Sequence, residues 1–380
     1  MIEGLNPIWV DMPEGVEKVA EAVERVGKLA LDTEADSLHS YFHKTCLVQV
    51  TAGSSNFVVD PLSLDPEELR PLWRLVEDPD LAVLMHGSDY DIRVLDRDYG
   101  VRICGLVDTQ IMAQVLGEPK TGLAALLEKE LEVVLDKRHQ RADWGRRPLT
   151  PSQIAYAAAD TAFLESLAVR LRDRLREQDR WQWAEEDFRQ LEKVRHRSAE
   201  PDPLAFERVK GVRGLKGRAR DRAFSLYEWR DHEARRLDIP PFKVLGNRQL
   251  LAMAEKPPRD NAELVKLDGV GPRFARRWGK PVLADLRRPG RAPERRTKAR
   301  RQELSAGQVR LVKKLSAERD EVAKELGVEP GLICPRACVV SVATHSPRCR
   351  SADDLRAAGI DGWRLEVLGS RYLACLADAE

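Results

Sequence analysis

The chain has 380 residues, enough for two or three domains that each bury a core of their own. No apolar run approaches the roughly 20 residues of a membrane span, and the N-terminus, MIEGLNPIWVDMPEGVEKV, lacks the basic-then-apolar pattern of a secretory signal. The net charge of +1 conceals a division: residues 1–200 carry 25 Lys and Arg against 37 Asp and Glu, residues 201–301 carry 27 against 13, and residues 302–380 carry 11 against 12.

An acidic part (−12) therefore precedes a basic part (+14), and the latter is what a phosphate backbone would attract. Six scattered cysteines (46, 104, 334, 338, 349 and 375) in a long chain without an export signal point to reduced thiols and a cytoplasmic location.

In chain order, Glu14 to Val26 has helical periodicity, with Val16, Val19, Ala20 and Val23 on one face. KLALDTEAD (28–36), CLVQV (46–50) and NFVVD (56–60) read as strands, the last two joined into a hairpin through the turn at Gly53, Ser54 and Ser55. Pro66 to Val76 reads as a helix, Leu81 to Met85 as a buried strand and Asp91 to Tyr99 as a helix, with Ser88 as its N-cap and Asp89 to Asp91 in its first turn. Asp108 reads as a further N-cap. Thr150 to Arg176 reads as one long helix, capped by Thr150 with Pro151 at its first position. The pattern predicts an α/β sheet covered by helices.

Alternation along a strand projects Asp32 and Glu34 to one face and Thr33 to the other. Two carboxylates so placed repel unless a proton or cation lies between them, and hard divalent cations are held by such oxygens. Taken alone, D-x-E also suits a strand end in solvent. On the long helix, Tyr156 and Asp160 stand four residues apart and share a face, with three alanines between them.

The ordered set Asp32, Glu34, Asp91, Tyr156, Asp160 resembles the DEDDy class of 3′-to-5′ exonucleases. The stretches LDTEADSLHSYFHKTCLVQV, LMHGSDYDIRVL, LVDTQIMAQVLG and LDKRHQRADWGRRPLTPSQIAYAAADTAFL, with a basic helical region after them, resemble bacterial ribonuclease D. The first stretch is also similar to the related nuclear-exosome exonuclease of eukaryotes. That resemblance implies a ribonuclease H-like mixed sheet flanked by helices, followed by two small all-α HRDC-like domains.

It further implies that Asp32, Glu34, Asp91 and Asp160 bind two divalent cations, Mg²⁺ or Mn²⁺, about 3.5–4 Å apart. Asp32 would bridge them, with Glu34 and Asp160 on the first and Asp91 on the second. Tyr156 would orient the attacking water and is a candidate acceptor of its proton. The chain departs from the best-known bacterial members after Glu34, where Ala35-Asp36-Ser37 replaces aromatic and basic residues.

Candidate contacts to the nucleic-acid strand are His39, Lys44, His86, Arg141 and Arg147, with His43 and Lys137 further possibilities. Trp144 reads as a packing anchor rather than a base-stacking platform.

Beyond Trp181 to Arg197, dense in charge and aromatic residues, Ala199-Glu200-Pro201-Asp202-Pro203 marks a boundary. A shift of 89 residues then aligns RDHEARRLDIPP (230–241) with RDEVAKELGVEP (319–330), Val244 with Ile333 and Leu250 with Val339. With small gaps, Leu264 pairs with Leu355 and Gly279 with Gly369. The first copy resembles the HRDC domain, a nucleic-acid-binding module; Lys216, Arg218, Arg220 and the linker RPGRAPERRTKARR (288–301) are its expected RNA contacts. The second copy lacks excess positive charge, and its Cys334, Cys338, His345 and Cys349 fit helical positions better than zinc-ligand spacing.

The expected divisions are 1–198 (exonuclease), 199–286 (first HRDC), 287–302 (basic linker) and 303–380 (divergent HRDC-like). The expected activity is 3′-to-5′ exoribonuclease, releasing nucleoside 5′-monophosphates from tRNA precursors and other structured RNA 3′ ends. The expected state is a monomer with no membrane partner. The alternatives are a DNA or general single-strand exonuclease, or a non-catalytic RNA-binding scaffold.

Overall fold

The computed structural model describes residues 5–136, 138–198, 200, 202–295, 304–345 and 349–377. Lys137, and the linker from residue 296 to 301, lie outside the described residues.

A mixed six-stranded sheet carries the N-terminal part. Its strands are β1 (Ile8–Val10), β2 (Lys28–Ala35), β3 (Thr45–Ala52), β4 (Ser55–Val59), β5 (Ala82–Met85) and β6 (Leu106–Asp108), in the order β1-β4-β3-β2-β5-β6. The hairpin expected at Gly53 is present: β3 and β4 pair antiparallel from Val48↔Val59 to Ala52↔Ser55, and Gly53 takes φ +60, a conformation glycine adopts without strain. By contrast β2, β5 and β6 run parallel, in the registers Ala30↔Leu84 and Met85↔Asp108. Parallel neighbours end on one edge, so the chain leaving β2, β5 and β6 emerges there three times.

Helices α1 (Pro13–Val26), α2 (Arg70–Val76), α3 (Asp89–Tyr99), α4 (Thr109–Val115), α5 (Leu123–Leu131), α6 (Pro151–Ala162), α7 (Leu164–Glu177) and α8 (Trp181–Leu191) surround the sheet. Val16, Val19, Ala20 and Val23 of α1 are buried as the periodicity predicts, and Gly27 closes the helix at φ +70. The predicted helix over Pro66 to Val76 is confined to Arg70–Val76.

The single helix expected from Thr150 to Arg176 is broken at Phe163 (φ −113, ψ 1) into α6 and α7. Thr161 accounts for the break. Its hydroxyl lies 3.4 Å from the Ala158 carbonyl and 2.8 Å from the Thr51 hydroxyl on β3, and back-bonding of this type bends helices. Thr150 does cap α6, in a reciprocal capping box with Gln153.

Five helices α9 (Gly217–Leu237), α10 (Pro241–Val244), α11 (Asn247–Glu255), α12 (Asn261–Leu264) and α13 (Pro272–Arg287) are followed by α14 (Ala306–Leu326), α15 (Pro330–Ile333), α16 (Arg336–Thr344), α17 (Ala352–Ala357) and α18 (Gly362–Ala377). The starts of α9, α10 and α11 recur 89 residues later in α14, α15 and α16, so the sequence repeat is also a repeat of elements.

The chain divides into two compact units, Met1–Glu34 with Thr45–His196 and Gln302–Glu380, and Ala35–Lys44 with Arg197–Arg301. Within the first, Trp183 stacks on Trp363 at 4.6 Å and Arg364 pairs with Asp187 at 2.6 Å, which joins the last five helices to α8. Within the second, the Tyr41 hydroxyl donates to Asp231 at 2.9 Å, and the Tyr41 and Phe42 N–H groups donate to Asp238. Among the described residues no helix is long and apolar enough to cross a membrane.

Candidate active site

Three elements bring the predicted carboxylates together. Asp32 and Glu34 end β2; Asp91 lies in the first turn of α3, reached directly from the neighbouring parallel strand β5; and Asp160 lies on α6. Burial and mutual repulsion tie them. Asp32 is raised well above the usual carboxylate range by desolvation, then by the charges of Asp91, Asp160 and Glu34. Burial, then Asp160 and Asp91, push Glu34 up to about 8.

Asp160 rises to about 7 through burial. Burial also lifts Asp91, to about 6, against a 2.5 Å hydrogen bond from the Thr33 hydroxyl that favours its charged form. Among the described residues no group of three or more His, Cys, Asp or Glu side chains is already arranged to hold a metal ion. The link between these carboxylates is electrostatic, and among the described residues no side chain donates a hydrogen bond to Asp32, Glu34 or Asp160.

Tyr156 shares α6 with Asp160. Its ring stacks on Trp144 at 5.9 Å and meets the edge of His139 at 5.9 Å. Trp144, 1 % exposed, packs with Cys46, Leu47, Val58, Leu149, Ala157 and Ala158, as befits an anchor. Burial, followed by the charges of Asp160, Glu34 and Asp32, pushes the Tyr156 phenol far above its ordinary value. A small pocket lies beside it, lined by Leu135, Asp136, Arg138, Tyr156, Ala159 and Asp160.

Asp108 caps α4 as expected, accepting from the N–H groups of Gln110 and Ile111. The same carboxylate accepts from Gly87 N, Ser88 N and Ser88 Oγ. Ser88 therefore occupies the N-cap position of α3 without capping it, and its hydroxyl donates to Asp108. The effect is to brace the turn from which Asp91 projects.

Of the predicted strand contacts, Arg147 is corrected. Its five donors are all committed: Nε and Nη2 to Asp60, Nη1 to the Trp144 and Arg146 carbonyls, and Nη2 to the Cys46 carbonyl. With Asp60 1 % exposed, Arg147 is the counter-charge of a buried carboxylate.

His86 is half-buried, with its Nε2 lacking a hydrogen-bond partner among the described residues. The Thr109 hydroxyl donates to the Met85 carbonyl, so the ring meets it at 2.9 Å with Nδ1–H as donor. Burial lowers the His86 pKa, against the charge of Asp108. Arg220 is corrected as well: Nε donates to Glu207 and Nη2 to the Pro293 carbonyl, with only 12 % of the side chain exposed.

Lys44, Arg141, Lys216 and Arg218 are exposed, Arg218 donating to the Arg287 carbonyl. His39 lies 3.3 Å from Lys243 within the second unit.

Two polar residues escaped the sequence reading. Thr33 positions Asp91, although alternation alone turned it away from the carboxylates. Gln49 lies fully buried on β3 with neither amide atom hydrogen-bonded; the signal available was a glutamine within the apolar run CLVQV.

Residues 7–176 match the family described as 3′-5′ exonuclease, and residues 219–285 match the HRDC domain. Ribonuclease D of Pseudomonas paraeruginosa is 31 % identical over 358 residues, covering 92 % of both chains. The exosome complex component 10 homolog of Caenorhabditis elegans is 33 % identical over 262 residues, which span 66 % of this chain and 29 % of that relative. The crystal structure of the catalytic core of RRP6 from Trypanosoma brucei is 27 % identical, with a TM-score of 0.68, and covers 76 % of this chain and 80 % of that one. The chain belongs to the ribonuclease D family of 3′-5′ exonucleases.

Proposed function

We propose that this exonuclease degrades RNA from the 3′ end, releases nucleoside 5′-monophosphates, and trims tRNA precursors and other structured RNAs as a cytoplasmic monomer. The observation that supports this reading is the convergence of Asp32, Glu34, Asp91 and Asp160, each made harder to ionise by burial. Such a set of hard oxygen donors fits two divalent cations, Mg²⁺ or Mn²⁺. Bound there, the cations supply positive charge to the attacking and leaving oxygens of an in-line phosphodiester displacement.

The chain's own groups do the rest. Asp32 and Glu34 project from the strand end, Asp160 faces them from α6, and Asp91, held by Thr33, closes the set from α3. With its raised phenol, Tyr156 stays protonated at neutral pH. It orients the attacking water through a hydrogen bond. Trp144 fixes the ring from its face.

In this reading residues 1–198 carry the chemistry, and residues 199–286 with the linker to 302 grip RNA through Lys216 and Arg218. Residues 303–380 pack and shape the entry. Incubating 3′-labelled RNA and DNA with the protein in Mg²⁺, Mn²⁺ or EDTA tests it. RNA is expected to shorten from the 3′ end only with a metal present, and Asp32→Asn is expected to abolish hydrolysis while keeping the parent melting temperature. Near-parental turnover by Asp32→Asn would sink the assignment of the site; faster attack on DNA would move the substrate class.

A further inference from the structure

Gln49 combines 0 % exposure with an amide whose nitrogen and oxygen both lack a hydrogen-bond partner. A buried amide left unpaired is costly, and leucine or methionine would fill the same volume without that cost. Its placement suggests why the amide is kept. Thr51, two residues along β3 and hence on the same face, bonds Thr161 on α6, the residue that follows Asp160. Val58, the cross-strand neighbour of Gln49, packs in the cluster that holds Ala157, Ala158 and Tyr156. Both contacts turn Gln49 toward the stretch of α6 that carries Tyr156 and Asp160. An unused donor and a carboxylate to which no side chain donates therefore share one layer, between β3 and α6.

We propose that Gln49 is a positioning residue of the exonuclease centre, whose Nε2 amide donates to the Asp160 carboxylate and fixes its orientation in the working site. This rests on the assignment of Asp160 to that site. The mechanism is indirect: the amide touches no substrate, and orients a group that does. A carboxylate free to rotate samples unproductive geometries, and restricting it contributes to turnover more than to substrate binding.

Gln49→Leu and Gln49→Met, in the full chain, are compared with the parent and with Asp32→Asn for melting temperature, for steady-state cleavage of 3′-labelled RNA, and for the Mg²⁺ dependence of the rate. Both Gln49 variants are expected to melt at or above the parent temperature. Turnover is expected to fall about tenfold with KM within about twofold, and half-saturation by Mg²⁺ to move to higher concentration. A merely structural amide predicts the opposite pairing, a lower melting temperature with unchanged turnover per folded molecule, and that result overturns the proposal. So does parental turnover in both variants while Asp32→Asn is dead. An active Asp32→Asn instead removes the site on which the proposal stands.

Discussion

In a chelator, raising the pH from 5 to 8 is expected to destabilise the unit that holds β2 and α6, and Glu34 sets the scale. Burial and the charges of Asp160 and Asp91 move its titration from 4.5 to about 8. The folded value lies above the unfolded one, so the native state binds the proton more tightly. This contribution to stability is complete below pH 4.5 and is lost as the pH climbs through 8.

That displacement corresponds to about 5 kcal/mol. Asp160, raised to about 7, and Asp91, raised to about 6, shift in the same direction. Their repulsion with Glu34 is one interaction seen from two sides and is counted once. His86 opposes the trend near pH 6.5, because burial favours its neutral form.

Thermal melts in EDTA, for the parent and for Glu34→Gln, measure the effect. The parent is expected to lose on the order of 10 °C between pH 5 and 8. Glu34→Gln should flatten most of that slope and melt above the parent at pH 8, although it is expected to be inactive. Mg²⁺ added at pH 8 should raise the parent more than the variant, since a ligand stabilises only the state that binds it. A parental melting temperature that is level or rising across the range, or an unchanged slope in Glu34→Gln, refutes the claim that these carboxylates strain one another.

Three further outcomes separate structural from functional residues. Arg147→Ala strips the buried Asp60 of its counter-charge and should cost about 3–5 kcal/mol, read by chemical denaturation, with RNA affinity per folded molecule unchanged. Thr33→Val removes the hydroxyl donor to Asp91; turnover should fall on the order of tenfold, the acid limb of the pH–rate profile should move to higher pH, and a superimposable profile would clear Thr33 of any role. Lys216→Glu with Arg218→Glu should weaken RNA binding and reduce the slope of log affinity against log salt by about one per lost phosphate contact. Arg220→Ala should chiefly lower the melting temperature of the second unit.

Legibility in the sequence followed the range of the interaction involved. Strands β2 to β5 and the β3–β4 hairpin show in alternation and in Gly53, which are local signals. Strands β1 and β6 do not, because three residues are too few to display a period. The break at Phe163 was equally hidden, since it depends on a hydroxyl contact between Thr161 and Thr51, 110 residues apart. Lys216, Arg218, Arg220 and Arg147 look alike as letters. Burial and partner separate them, and the acceptor for Arg147 lies 87 residues away on Asp60. The set Asp32, Glu34, Asp91, Tyr156 and Asp160 was legible because the chemistry demands residue types that chance order seldom supplies.

What the letters could not distinguish is the two kinds of buried carboxylate in this fold. Asp36, Asp60 and Asp108 are each about 1 % exposed or less. Asp36 receives Ser40 Oγ and Lys44 N, Asp60 receives the Arg147 fork, and Asp108 receives five N–H or O–H donors. A buried anion supplied with several donors is held in one orientation by them. Asp32, Glu34 and Asp160 are half-buried with no side-chain donor among the described residues, and Asp91, which is buried, has only Thr33. Their charges repel one another, which costs stability until positive charge enters. The distribution of donors around the two sets therefore separates carboxylates that hold the fold from the set for which cation binding is proposed, and it does so without reference to any relative of the chain.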